Sequence, residues 1–108
     1  MSKSTKYEWP DNVSFEDDAV ADFLGLDRAL QIMVFKALTK VAANPFPRPR
    51  GYGKPLGKDL KTFMKIKLRD SGVRIIYRLE PPDSDHMRVI VIGLRAEGEV
   101  YREALRRI

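Results

Sequence analysis

Lys65 and Lys67 stand two residues apart in Phe63-Met64-Lys65-Ile66-Lys67-Leu68-Arg69, and Asp70-Ser71-Gly72 leads from there into a second apolar run that carries Arg74. Strand alternation sends Met64, Ile66 and Leu68 to one face and Phe63, Lys65, Lys67 and Arg69 to the other. Both lysines then point the same way, about 7 Å apart. A solvated strand face ordinarily mixes charge signs, whereas this one holds three cations and no acid. The pattern suits a polyanion with regularly spaced phosphates; an ordinary solvated face is the alternative.

The rest of the composition narrows the chemistry. The 108 residues, 44% of them apolar, suffice for one domain with a modest core. There is no cysteine, hence no disulfide scaffold and no thiol nucleophile. One histidine and scattered acids offer no metal site, and Gly51, Gly53 and Gly57 fit no nucleotide motif. No apolar run nears 18 residues, and no apolar segment follows the first six residues, so neither a membrane span nor a signal peptide is expected. A cytoplasmic protein without a membrane partner is the simplest expectation. Charge is divided unevenly. Residues 1–47 hold five Lys/Arg against seven Asp/Glu, and residues 48–108 hold fifteen against eight. A basic half of this kind fits a nucleic-acid footprint or a generic basic surface.

The elements that must position the cations follow from periodicity. Residues 6–15 alternate as a first strand interrupted by Pro10. Glu16, Asp17 and Asp18 suit the start of a short helix, capped by Ser14 or one of the acids, with Ala19, Val20, Phe23 and Leu24 as its stripe and Gly25 at its end. Asp27 caps a second helix whose apolar positions run from Ala29 to Val41, stopped by Asn44-Pro45. A loop rich in proline and glycine covers 45–62. Its cations Arg48, Arg50, Lys54, Lys58 and Lys61 either track a phosphate backbone or are simply solvated, the solvated reading being the favoured one. Three strands follow at about 63–69, 73–79 and 87–94, the last apolar enough to be the central or most buried one. A helix over about 97–107 closes the chain. The expected fold is α+β: an antiparallel sheet of about four strands, a helical hairpin packed on one face and a C-terminal helix.

This order resembles the RelE/ParE superfamily of bacterial toxins, and Lys65 to Tyr77 together with Ile92 to Ile108 resemble RelE itself. Gly57-Lys58-Asp59-Leu60 is similar to a looser signal of the superfamily. The resemblance implies a single RelE-like domain over 1–108 and a ribosome-dependent endoribonuclease that cuts mRNA in the ribosomal A site. It implies contacts to 16S rRNA, a RelB-like antitoxin and a toxin–antitoxin complex on operator DNA. Carried over one at a time, its site positions fall on Lys65, Lys67, Arg74, Arg95 and Tyr101. Leu94 stands where RelE has a lysine and Glu97 where it has an arginine, which lowers the local positive charge.

RNA cleavage without a metal proceeds by attack of the 2′-hydroxyl on the adjacent phosphate, leaving a 2′,3′-cyclic phosphate and a 5′-hydroxyl. Such a reaction needs a base, an acid and cations for the developing charge. Tyr101 or a lysine is then the base, and Arg74 and Arg95 hold the phosphate through their forked donors. A protonating role for Arg95 comes from the resemblance alone. Tyr101 packing beside Leu105 is the structural alternative, and His86, in a turn with Pro81, Pro82, Asp83 and Asp85, is left out. Arg69 and Arg78 are left out as surface partners of Asp70 and Glu80. Two other functions compete: a ParE-type inhibitor of DNA gyrase, and a non-catalytic module that binds RNA or ribosomes.

Overall fold

The computed structural model describes residues 7–56, 62–94 and 97–108, with the side chains of 97 and 98 excepted. Its elements are β1 (Val13–Phe15), α1 (Asp17–Leu24), α2 (Arg28–Ala42), β2 (Lys54–Pro55), β3 (Phe63–Leu68), β4 (Val73–Leu79), β5 (Met87–Gly93) and α3 (Glu97–Arg106). The α+β class and the arrangement of helices agree with the sequence reading. Among the described residues the sheet has five strands in the order β1-β5-β4-β3-β2, with β1 parallel to β5 and the other pairs antiparallel. The added strand is β2, two residues of the Pro/Gly loop paired to β3.

The first strand is shorter than its alternation suggested. Met87 pairs with Val13, and Met87 N–H donates to Asn12 O (2.7 Å), so β5 offers nothing to pair with upstream. Tyr7 and Trp9 instead join an aromatic cluster with Phe15, Phe23 and Phe35, in which Trp9 meets Phe15 edge-on at 4.9 Å. Glu16 occupies the cap position of α1 without a side-chain capping bond, because its carboxylate takes Arg88 Nε at 3.2 Å. Asp27 does cap α2, accepting from Leu30 N–H at 2.9 Å. Leu24 and Ala29 fall off the buried stripes and are exposed.

A hairpin turn at 69–72 fixes the register of β3 on β4. Gly72 takes φ +78°, a conformation that side chains disfavour, and its N–H donates to Leu68 O at 3.0 Å. The sheet separates two cores. Val34 and Leu38 of α2 and Phe23 of α1 cover Val73, Ile75, Tyr77, Met87 and Val89. Val100 and Ala104 of α3 cover Phe63, Ile76, Ile90 and Val91 on the opposite face. A bulge allows this division. Ile76 faces Val91 and Tyr77 faces Val89, so Ile90 is extra and turns to the α3 side together with its neighbour. The interior strand β5 is as apolar as expected, but β4 takes the middle position.

β1 covers only the first half of β5. Beyond it Asp22 accepts from Ile92 N–H (3.0 Å), and Arg107 Nη1 donates to Ile90 O (2.7 Å) and to Asp22 (2.9 Å). Those two side chains stand where a neighbouring strand would.

Tyr77 is fully buried, and its hydroxyl donates to Pro45 O at 2.9 Å. Burial pushes its pKa well above the ordinary tyrosine value. The unfolded chain releases this proton near 10, the folded chain only at higher pH. Stability is therefore fully present below pH 10 and drains away above it, with a slope of up to about 1.4 kcal/mol per pH unit. Tyr77→Phe should cost about 1–3 kcal/mol at pH 8, the cost of a stranded buried carbonyl. That deficit should shrink by pH 11, since phenylalanine has no proton to lose. Urea midpoints of both proteins at the two pH values measure it. A deficit that stays constant means that Tyr77 titrates alike in both states.

Candidate active site

Register gathers the cations. Lys67 faces Arg74 across the β3–β4 pair, Arg74 faces Gly93 on β5, and Lys65 faces Ile76. Directly paired residues share a face of the sheet, and Ile76 belongs to the core beneath α3. Lys65, Lys67 and Arg74 therefore lie on the α3 side, away from the helical hairpin. Ile76 sets an apolar side chain beside Lys65, and Gly93 sets none beside Arg74.

Each side chain is placed by its own element. Arg74 is half-buried, and its Nη1 donates to Gly72 O at 3.0 Å, which ties the guanidinium to the hairpin turn. Tyr101 comes from α3, where Val100 and Ala104 seat the helix on the sheet and the Tyr101 ring packs against the same cluster. Lys65 Nζ donates to Tyr101 Oη at 3.0 Å and stands 5.8 Å from the ring centroid. Tyr101 thus packs on the α3-side cluster, whereas Leu105, the packing partner expected for it, is exposed. Lys67 is exposed at the far end of β3. Arg95 and the Gly57-Lys58-Asp59-Leu60 signal lie outside the described residues. Leu94, in place of the lysine of the resembling family, is 55% exposed.

The residues set aside have other duties. Arg78 is held by Glu80 (Nε to Oε2, 2.6 Å) and covers the buried Phe63 ring. His86 Nε2 meets Ser14 Oγ at 2.9 Å beside the start of β5, whereas Arg74 faces the end of that strand.

One of the loop cations favoured above as solvated lies on this face. Lys54 on β2 is the Cα partner of Lys65. Its ammonium is held below the ordinary lysine range, first by the charge of Arg48, then by partial desolvation, then by Arg69, Lys65 and Lys67. A strand of two residues has no alternation to detect, so the only available signal was its membership in a basic loop. The site is thus a cationic sheet face with a phenol at its margin. It can grip a phosphate at several oxygens while a lysine–phenol pair handles a proton.

No family model matches the chain. A protein described as a putative RelE-like toxin protein from Escherichia coli is 33% identical over 97 residues, covering 89% of this chain and 95% of the relative. The isolated RelE toxin of E. coli superposes with a TM-score of 0.63 at 28% identity, over 88% of this chain and 95% of that one. A double arginine-to-alanine mutant of E. coli RelE in complex with a RelB antitoxin peptide gives 0.65 at 28% identity, over 89% and 95%.

Proposed function

The chain belongs to the RelE-like toxin family, and from that premise we propose that it is a ribosome-dependent endoribonuclease that cuts mRNA in the A site and is neutralised by a cognate antitoxin. The observation that carries the reading is the 3.0 Å contact between Lys65 Nζ and Tyr101 Oη on a face that also presents Lys67 and Arg74. An ammonium that donates to a phenol oxygen stabilises the negative charge left there when the proton departs. Tyr101 Oη then takes the proton of the substrate 2′-hydroxyl. The 2′-oxygen bonds to phosphorus and the bond from phosphorus to the 5′-oxygen breaks. The products are a 2′,3′-cyclic phosphate and a 5′-oxygen that must be protonated. Lys67 and Arg74 neutralise the non-bridging oxygens as charge builds. Arg95, by family resemblance, completes the grip and supplies the leaving-group proton. The ribosome holds the RNA in line and contributes much of the rate.

The supporting frame is one RelE-like domain over 1–108 acting in the cytoplasm. Among the described residues no helix is long and apolar enough to cross a membrane. The test is to induce the protein and map 5′-hydroxyl ends on cellular mRNA while assaying plasmid supercoiling. Codon-phased cuts with unchanged supercoiling are expected. A supercoiling defect without cuts would replace the nuclease by a gyrase inhibitor, and neither effect would leave a binding module.

The basic half of the chain is also a strong target for an acidic amphipathic segment, and the E. coli RelE mutant is seen with a RelB peptide. Co-expression with the adjacent reading frame should restore growth and yield a complex that co-purifies at near-stoichiometric ratio. Contacts with operator DNA would belong to that complex. Persistent toxicity and no co-purification would remove that frame as the antitoxin.

A further inference from the structure

Lys54 is built into the sheet rather than carried past it. Leu56 N–H donates to Phe63 O at 2.9 Å, Arg48 N–H to Gly53 O at 2.8 Å and Gly53 N–H to Phe46 O at 2.9 Å. Gly53 sits so close to Met64 Sδ and Tyr77 Oη that a Cβ there would force those side chains to move. These contacts set β2 against β3 and bring Lys54 directly opposite Lys65, with the strands about 4.8 Å apart. Lys65 is the residue that touches Tyr101, so Lys54 lies one strand further out on the same face.

We propose that Lys54 is a further substrate-binding residue, which holds the single-stranded RNA phosphate next to the one being cut, on the β2 side of Lys65. The assignment rests on the nuclease reading above. Its separate physical support is charge crowding. Arg48, Arg69, Lys65 and Lys67 all depress the proton affinity of this ammonium, so an anion placed among them relieves a repulsion already present in the free protein. A second phosphate on this side also fixes the direction in which the strand crosses the sheet, which a single gripped phosphate leaves open.

The test has a binding arm and a cleavage arm. Binding uses a fluorescein-labelled ten-nucleotide RNA with 2′-methoxy groups, which cannot be cut, titrated by anisotropy across a salt series. Lys54→Ala should weaken it about tenfold and reduce the slope of log affinity against log salt by about 0.7, one phosphate of a single strand. Lys54→Arg should behave as wild type. Lys36→Ala, an equal charge loss on the exposed side of α2, should leave the slope unchanged. On programmed ribosomes Lys54→Ala should raise KM with kcat within about twofold. An unchanged slope, an equal drop for Lys36→Ala, no measurable binding by the wild type, or a fall in kcat at constant KM would each overturn the assignment. If the wild type binds but cuts no mRNA, the nuclease reading fails, while the slope still decides whether Lys54 holds a phosphate.

Discussion

Arg74→Ala should lower single-turnover cleavage on ribosomes by about 10²–10³-fold, the usual loss when one preorganised charge at a transition state is removed, and should abolish toxicity at matched expression. The reason lies in its position. Arg74 faces Lys67 on one side and side-chain-free Gly93 on the other, and its Nη1 is anchored on Gly72 O. A guanidinium held this way loses little entropy when phosphate arrives. Folding should barely suffer, because the carbonyl released lies in a turn that water reaches. Thermal melts within a few degrees of wild type, beside the lost cleavage, are the expected pair of results. Arg74→Lys should recover only part of the rate, since a point charge lacks the fork that meets two oxygens. An alanine variant that stays fully toxic would remove Arg74 from the site.

Tyr101→Phe should cut the cleavage step by about 10²–10⁴-fold, the range for losing a general base, and leave ribosome affinity nearly unchanged. Phenylalanine keeps the ring on the cluster formed by Phe63, Ile76, Val100 and Ala104, so stability should shift by less than about 1 kcal/mol. It loses only the oxygen that accepts from Lys65. Affinity is spread over many Lys and Arg contacts to phosphate and does not depend on one hydroxyl. Single-turnover cleavage and a ribosome-binding titration on the same preparation separate the two quantities. Unchanged cleavage would make Tyr101 a packing residue and leave Lys65 or Lys67 as the base.

How far the chain could be read beforehand depended on the range over which each feature is encoded. Helix α2 is local: Asp27 caps it, its apolar positions repeat at helical spacing, and Asn44-Pro45 ends it. The β3–β4 hairpin is local too, because Asp70-Ser71-Gly72 sets the turn and alternation then places Lys65, Lys67 and Arg74. What escaped is set by partners distant in sequence. The parallel pairing of β1 with β5 decides that Tyr7 and Trp9 become an aromatic cluster instead of strand. The extra residue Ile90 reverses the alternation of β5 with no mark in its apolar run. Tyr101 could be named from resemblance, but its contact with Lys65 needs α3 seated on the sheet. Lys54 needed a strand too short to have a pattern.

The half of β5 left uncovered by β1 bears on how the protein behaves at high concentration. An open sheet margin is a template on which a second chain can add, and proteins with such margins tend to swap segments or grow into fibres. Here the template is closed by two side chains of opposite sign, the Asp22 carboxylate on Ile92 N–H and the Arg107 guanidinium on Ile90 O. Arg107 directly follows α3, so the guard is set only when that helix is docked. A preparation in which that helix is displaced or trimmed by proteolysis exposes a reactive strand, and its failure will be seen as self-association before it is seen as unfolding.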